Sequence, residues 1–162
     1  MKRALFIGQA MPRHKSDLHD WPTLNKWLYS IGLTDHDIKT NFYYSALVDY
    51  FPGSKNGTHL VPTPQEIKTE RPRLQKTILE FQPEIVVPIG SLSISYCLNQ
   101  KTLPLTQVLG QIYSADPYLL FNQIVPIIPL PHPSGASTWH YHPDHKKLLS
   151  KSLELLLHAL FL

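Results

Sequence analysis

Two apolar runs, each stopped by a glycine, constrain this chain most. Ala4-Leu5-Phe6-Ile7 ends at Gly8, and Ile85-Val-Val-Pro-Ile89, following Glu84, ends at Gly90. A strand with one wet face alternates apolar and polar residues; these runs do not, so each must be covered on both faces, as in a parallel sheet. The covering helices can be read from the segments between. Leu24, Trp27, Leu28 and Ile31 recur at helical spacing, with Pro22 near the first turn and Gly32 just beyond the last. Thr63-Pro64-Gln65-Glu66 has the spacing of a capping box with proline at the first helical position. The helix it opens is expected to run to about Phe81, broken or kinked near Pro72. Further helices are expected from Ser91 to Leu98 and from Pro143 to Leu160, the last burying Leu148, Leu149, Leu156 and Leu160. Ile38 to Tyr44 and Ile124 to Leu130 supply two more strands, and residues 51–62 read as an irregular loop. Strands alternating with helices imply an α/β protein, a three-layer α/β/α sandwich around a central, mainly parallel four-stranded sheet with right-handed crossovers.

A chain of 162 residues with 43% hydrophobic content suits one such domain. Its single cysteine, Cys97, lies in an apolar helical run, which rules out an internal disulfide and any four-cysteine metal or cluster site from this chain alone. Lys2 and Arg3 precede an apolar run too short for a signal peptide or membrane span, so a soluble cytoplasmic protein is expected, without a membrane partner. A net charge of +3 permits a nucleic-acid partner without requiring one. In doubly wound sheets ligands bind at the carboxyl ends of the strands. The loops starting at Gly8, Gly90 and His132 leave that edge, which makes it the expected site.

The order of these segments resembles the uracil-DNA glycosylase superfamily. Gly8-Gln9-Ala10-Met11-Pro12 is similar to the first motif of that family, GQDPY in one branch and GEAPG in the iron-sulfur branch. Thr40-Asn41 takes the place of the strand asparagine that reads uracil. Pro62-Thr-Pro-Gln-Glu-Ile67, Arg71-Pro-Arg-Leu and Phe81-Gln-Pro-Glu-Ile-Val-Val-Pro-Ile-Gly90 are similar to the middle of the iron-sulfur branch, and His132-Pro133-Ser134 resembles the last motif.

The resemblance implies a DNA glycosylase acting on a flipped base, most simply uracil, with damaged DNA as partner and the protein a monomer. Breaking the bond from uracil to deoxyribose leaves negative charge on the base, so stabilising that anion is the main task. His132 would donate a hydrogen bond to uracil O2; donors of this kind contribute about 2.7–4 kcal/mol. Gln9 would place a water, and the backbone at Gly8 and Ala10 would line the base. The Asn41 amide would donate to O4 and accept from N3, a pattern cytosine inverts. Trp21 or Tyr43 would stack on the extruded base. Gly90, Ser91, Ser134, Gly135 and Ser137 would hold backbone phosphates, helix N-termini being ready anion sites. Trp139 would fill the hole left in the duplex.

Two departures shape the alternatives. The cluster cysteines of the iron-sulfur branch are absent, so no cofactor is expected. The acidic residue of active members is replaced by Gln9 and Ala10, with Asp17 and Asp20 in the following loop, so a non-catalytic binder of uracil-containing or abasic DNA stands as the second reading. Nucleotide binding on a flavodoxin-like sheet is a third. His140, His142 and His145 have metal-like spacing, but no cysteine or carboxylate set completes it, and they are read as structural, with no metal.

Overall fold

The computed structural model describes residues 1–11, 18–133 and 139–162. Its elements are β1 (Ala4–Ala10), α1 (Pro22–Ser30), α2 (Asp35–Asn41), β2 (Phe42–Val48), a small hairpin of β3 (Ser54–Lys55) and β4 (Thr58–His59), α3 (Pro64–Phe81), β5 (Ile85–Pro88), α4 (Ser91–Leu98), α5 (Leu105–Val108), β6 (Tyr113–Ala115), β7 (Val125–Ile127) and α6 (Pro143–Phe161). The main sheet has the order β2-β1-β5-β7-β6. β2, β1, β5 and β7 run parallel; β6 pairs antiparallel with β7 at the edge. The sheet therefore has five strands, not four. β6 is three residues long, too short for its sequence to show any period.

Both faces are covered, as the unbroken apolar runs require. Ala4, Phe6, Val87 and Ile89 face a core closed by Leu24 and Leu28 of α1 and by Leu149, Leu153 and Leu156 of α6; Trp27 packs against this core. Leu5, Ile7 and Val86 face the other way, onto Ile67, Leu74 and Ile78 of α3 and Cys97 of α4. Thr63 caps α3 through the expected capping box, and the helix runs unbroken through Pro72 to Phe81.

Two expectations fail at the second strand. Residues 38–41 are helical: Thr34 and Asp37 form a capping box that opens α2, which holds Ile38 and Asn41. β2 begins only at Phe42 and runs on to Val48. The loop expected over residues 51–62 contains the β3–β4 hairpin, turned at Asn56-Gly57, a favoured two-residue hairpin turn.

β2 is an edge strand, and its carboxyl end is tied to α3. The Arg73 guanidinium donates to Ala46 O at 2.7 Å, Leu47 O at 3.2 Å and Ser45 Oγ at 3.1 Å. Tying down an edge strand in this way limits its pairing with another chain.

Candidate active site

The strand order places a topological switch point between β1 and β5. β1 connects to β2 on one side and β5 lies on the other, with α1 leaving β1 on one face and α4 leaving β5 on the opposite face. Such a switch point opens a cleft at the carboxyl ends of the strands. Register shows where it opens. β1 pairs with β2 as far as Ala10↔Val48, but with β5 only as far as Ile7↔Pro88. Ile7 O accepts Ile89 N at 2.9 Å, and backbone groups alternate along a strand, so the peptide groups of Gln9 face the side where β5 has already ended. Gly8, Gln9 and Ala10 thus continue the strand rather than starting a loop, with one side beyond the β1–β5 ladder.

The end of β1 is fixed from below. The buried Ser93 hydroxyl, in the first turn of α4, donates to Ile7 O at 2.6 Å and shares a hydrogen bond with the Tyr118 hydroxyl at 2.7 Å. Burial raises the Tyr118 pKa, which keeps that hydroxyl protonated.

Across the crevice, Leu130 bridges Ile89, and Gly90 N donates to Leu130 O at 2.9 Å. This brings His132 against the start of α4. Gly90 has φ +84°, a left-handed value that favours glycine; a Cβ placed there would lie 3.6 Å from His132 Cβ and 3.7 Å from His132 Cδ2. Ser91 opens the helix beside it. On its other side the imidazole meets Trp21 edge-to-face, with ring centroids 5.9 Å apart. Burial lowers the His132 pKa, so at neutral pH the ring is uncharged. A neutral imidazole donates through one nitrogen and accepts through the other.

Gly8, Gln9, Ala10, Trp21, Gly90, Ser91 and His132 therefore converge on one edge. Asn41 and Tyr43 do not. β2 is parallel to β1 with Ala4↔Phe42 and Leu5↔Tyr43, so both lie at the amino ends of the strands. From Phe42 to the carboxyl end at Val48 is a rise of roughly 20 Å. The Asn41 Nδ2 donates to Asp37 O at 3.1 Å, tying the side chain to its own helix. The Tyr43 ring packs beside Phe81, centroids 5.7 Å apart. Neither side chain lies at the carboxyl edge of the sheet. Trp139, the expected wedge, packs on the Ile94, Val108 and Leu109 cluster and stacks on the His145 ring, 4.0 Å apart and 8° from parallel. Its indole is engaged in packing and is only partly exposed. Ser134, Gly135 and Ser137 lie outside the described residues, as does Asp17.

His142 and His145 both bond backbone groups. His145 Nδ1 bonds Trp139 O at 2.6 Å, and His142 Nδ1 accepts Asp144 N at 3.2 Å, capping α6. Among the described residues no group of three or more histidines, cysteines or carboxylates is placed to hold a metal.

The residues that sequence reasoning missed are those behind Trp21. His19 O accepts Trp21 N and Asn25 Nδ2, each at 2.9 Å, and Tyr44 donates to Asn25 Oδ1 at 2.7 Å. These are isolated polar and aromatic residues with no shared period, so spacing carried no signal for them.

The family model of the uracil DNA glycosylase superfamily matches residues 2–156, nearly the whole chain. The chain belongs to that superfamily. A protein described as a DNA polymerase, from Bacillus phage SP01, is 29% identical over 130 residues, which cover 80% of this chain and 12% of that protein. The matching stretch is thus a small part of the polymerase. The α/β arrangement, a mostly parallel five-stranded sheet with flanking helices, is consistent with that membership. Among the described residues no helix is long and apolar enough to cross a membrane.

Proposed function

We propose that this superfamily member is a DNA glycosylase that draws a damaged base, uracil foremost, into the crevice between β1 and β5 and hydrolyses its N-glycosidic bond. The observation that carries this reading is the placement of a neutral His132 between the start of α4 and Trp21, at the edge where Gly8-Gln9-Ala10 ends. As the bond breaks, the sugar becomes cation-like and the base gains negative charge at O2. A neutral imidazole donates a hydrogen bond to that oxygen without a prior charge to lose, and preorganised donors of this kind supply about 2.7–4 kcal/mol. The Gln9 peptide groups, outside the β1–β5 ladder, offer a second set of contacts to the base, and the Gln9 amide holds the attacking water. Extruding the base costs a few kcal/mol. The amides at the start of α4 suit a flanking phosphate.

With Asn41 remote, base choice rests on the backbone and side chain of Gln9 and on crevice shape. This predicts looser selection than a strand asparagine would give, with hypoxanthine and xanthine as competing substrates.

The second reading, a non-catalytic binder of uracil-containing or abasic DNA, is favoured by one observation: neither Gln9 nor Ala10 carries a carboxylate. The similarity to a stretch of a phage DNA polymerase supports DNA as the partner under either reading. Incubation with a uracil-containing oligonucleotide separates them: free uracil and an alkali-labile strand mark the enzyme, whereas a tight complex with an intact glycosidic bond marks the binder.

A further inference from the structure

We propose that Trp21 is a positioning residue for His132, and that position 8 is glycine so that Trp21 can reach it. This rests on the role given to His132 above and adds the reason that the two sequence motifs meet through a third residue.

Contact geometry supports it from three sides. A Cβ built on Gly8 would lie 2.9 Å from Trp21 Cη2, closer than carbon atoms approach without displacement; Cζ3 follows at 3.5 Å. The indole therefore lies directly on the Gly8 backbone. Its other contacts form a row: Tyr44 lies edge-to-face at 6.3 Å and 77°, and His132 at 5.9 Å and 61°. Gly90 also packs against His132, with a built Cβ 3.6 Å from His132 Cβ and 3.7 Å from its Cδ2. His132 thus contacts both a backbone and a fixed ring.

Trp21 is itself held. It occupies the position before α1, where Pro22 presets the first helical turn. Trp21 N donates to His19 O and Trp21 O accepts Asn25 N, each at 2.9 Å. Asn25 also accepts the Tyr44 hydroxyl, and the Tyr44 ring flanks both His19, at 5.1 Å, and Trp21. Edge-to-face contacts are directional, so a fixed indole selects one imidazole orientation. A donor aimed before the substrate arrives avoids reorganisation as charge develops. The indole also keeps water from one side of His132. Neither Trp21 nor Gly90 carries a titratable group.

The test combines an imidazole titration with kinetics on a uracil-containing oligonucleotide. His132 is titrated by NMR in wild type, Trp21→Phe and Gly8→Ala. Phe keeps an aromatic face but is too short to span from Gly8 to His132; Ala at position 8 displaces Trp21 while leaving it in place chemically. In both variants the His132 pKa is expected to rise toward the ordinary histidine value of about 6.5. kcat is expected to fall roughly 10- to 100-fold with little change in KM, the signature of misplacing a group that acts as charge develops. Were Trp21 only a base-stacking platform, Trp21→Phe would retain kcat, and loss would appear in KM. An unchanged His132 titration in both variants overturns the proposal. If wild type releases no base while the titration still shifts, the positioning claim stands and the glycosylase reading alone falls.

Discussion

Replacing Gly8 with alanine tests the packing of the site at its tightest point. Gly8 lies within β1 and its φ is not in the left-handed region, so alanine fits the backbone there and would otherwise reduce unfolded-chain entropy, a gain of about 0.4–1 kcal/mol. Against this stands the added methyl, 2.9 Å from Trp21 Cη2. Relief requires moving the indole, which is held by Tyr44 and by the backbone bonds at His19 and Asn25. Overpacking of a well-filled site costs about 1–3 kcal/mol, and that term should win. The net loss, roughly 1–2 kcal/mol from mid-range values, should lower the unfolding midpoint by about 0.5–1 M at a urea slope of about 2 kcal/mol/M. The decisive comparison is a double-mutant cycle with Trp21→Phe, which removes the atom that the new methyl meets. In that background Gly8→Ala should cost less than about 0.5 kcal/mol, giving a coupling of about 0.5 kcal/mol or more. A Gly8→Ala protein as stable as wild type, or an equal cost in both backgrounds, would refute the argument that the indole rests on Gly8.

Other outcomes follow from the same geometry. Asn41→Ala should leave base release within about twofold of wild type, while losing the Asp37 bond should cost roughly 0.5–1.5 kcal/mol in urea unfolding; a large activity loss would return Asn41 to the site. Arg73→Ala, which strips the guanidinium from Ala46 O, Leu47 O and Ser45 Oγ, should cost about 2 kcal/mol and promote self-association through the loosened β2 edge, read by light scattering. For pH, burial holds the folded-state His132 pKa below its unfolded value near 6.5, so between the two the unfolded chain binds more protons. The stability difference between wild type and His132→Gln should be level above about pH 6.5 and turn against wild type as the pH drops below it; a pH-independent difference would show that His132 is not desolvated.

Much of this architecture was legible where physical requirements leave a strong trace. β1 and β5 are covered on both faces and can tolerate no polar residue within the sheet, so Ala4 to Ile7 and Ile85 to Ile89 read directly as buried strands. Thr63 to Glu66 announced α3 because capping needs those residue types at that spacing. The second strand was misread because Ile38 to Tyr44 mixes β-branched and aromatic residues that suit a strand locally, whereas the Thr34–Asp37 capping box and the burial of Ile38 against the α1 side settle residues 35–41 as helix. That shift carried Asn41 and Tyr43 to the wrong end of the sheet. β6 and the β3–β4 hairpin are too short to show a period. Of the site, Gly8, Gly90 and His132 were legible because backbone geometry and chemistry restrict what can stand there. The contact of Trp21 with Gly8 was not, since it depends on how the chain returns over the end of β1, and no local pattern records it.

In the proposed reaction His132, at the carboxyl edge of the sheet, stabilises a departing base. Single-turnover release of uracil from an oligonucleotide is therefore compared between wild type and His132→Ala with chelator present throughout. Measurable release by wild type, insensitive to chelator, is expected, with a rate about 10²–10³-fold lower for His132→Ala, the loss expected for one preorganised donor. Equal rates for the two proteins, or no release by wild type from uracil, hypoxanthine or xanthine substrates, would contradict it.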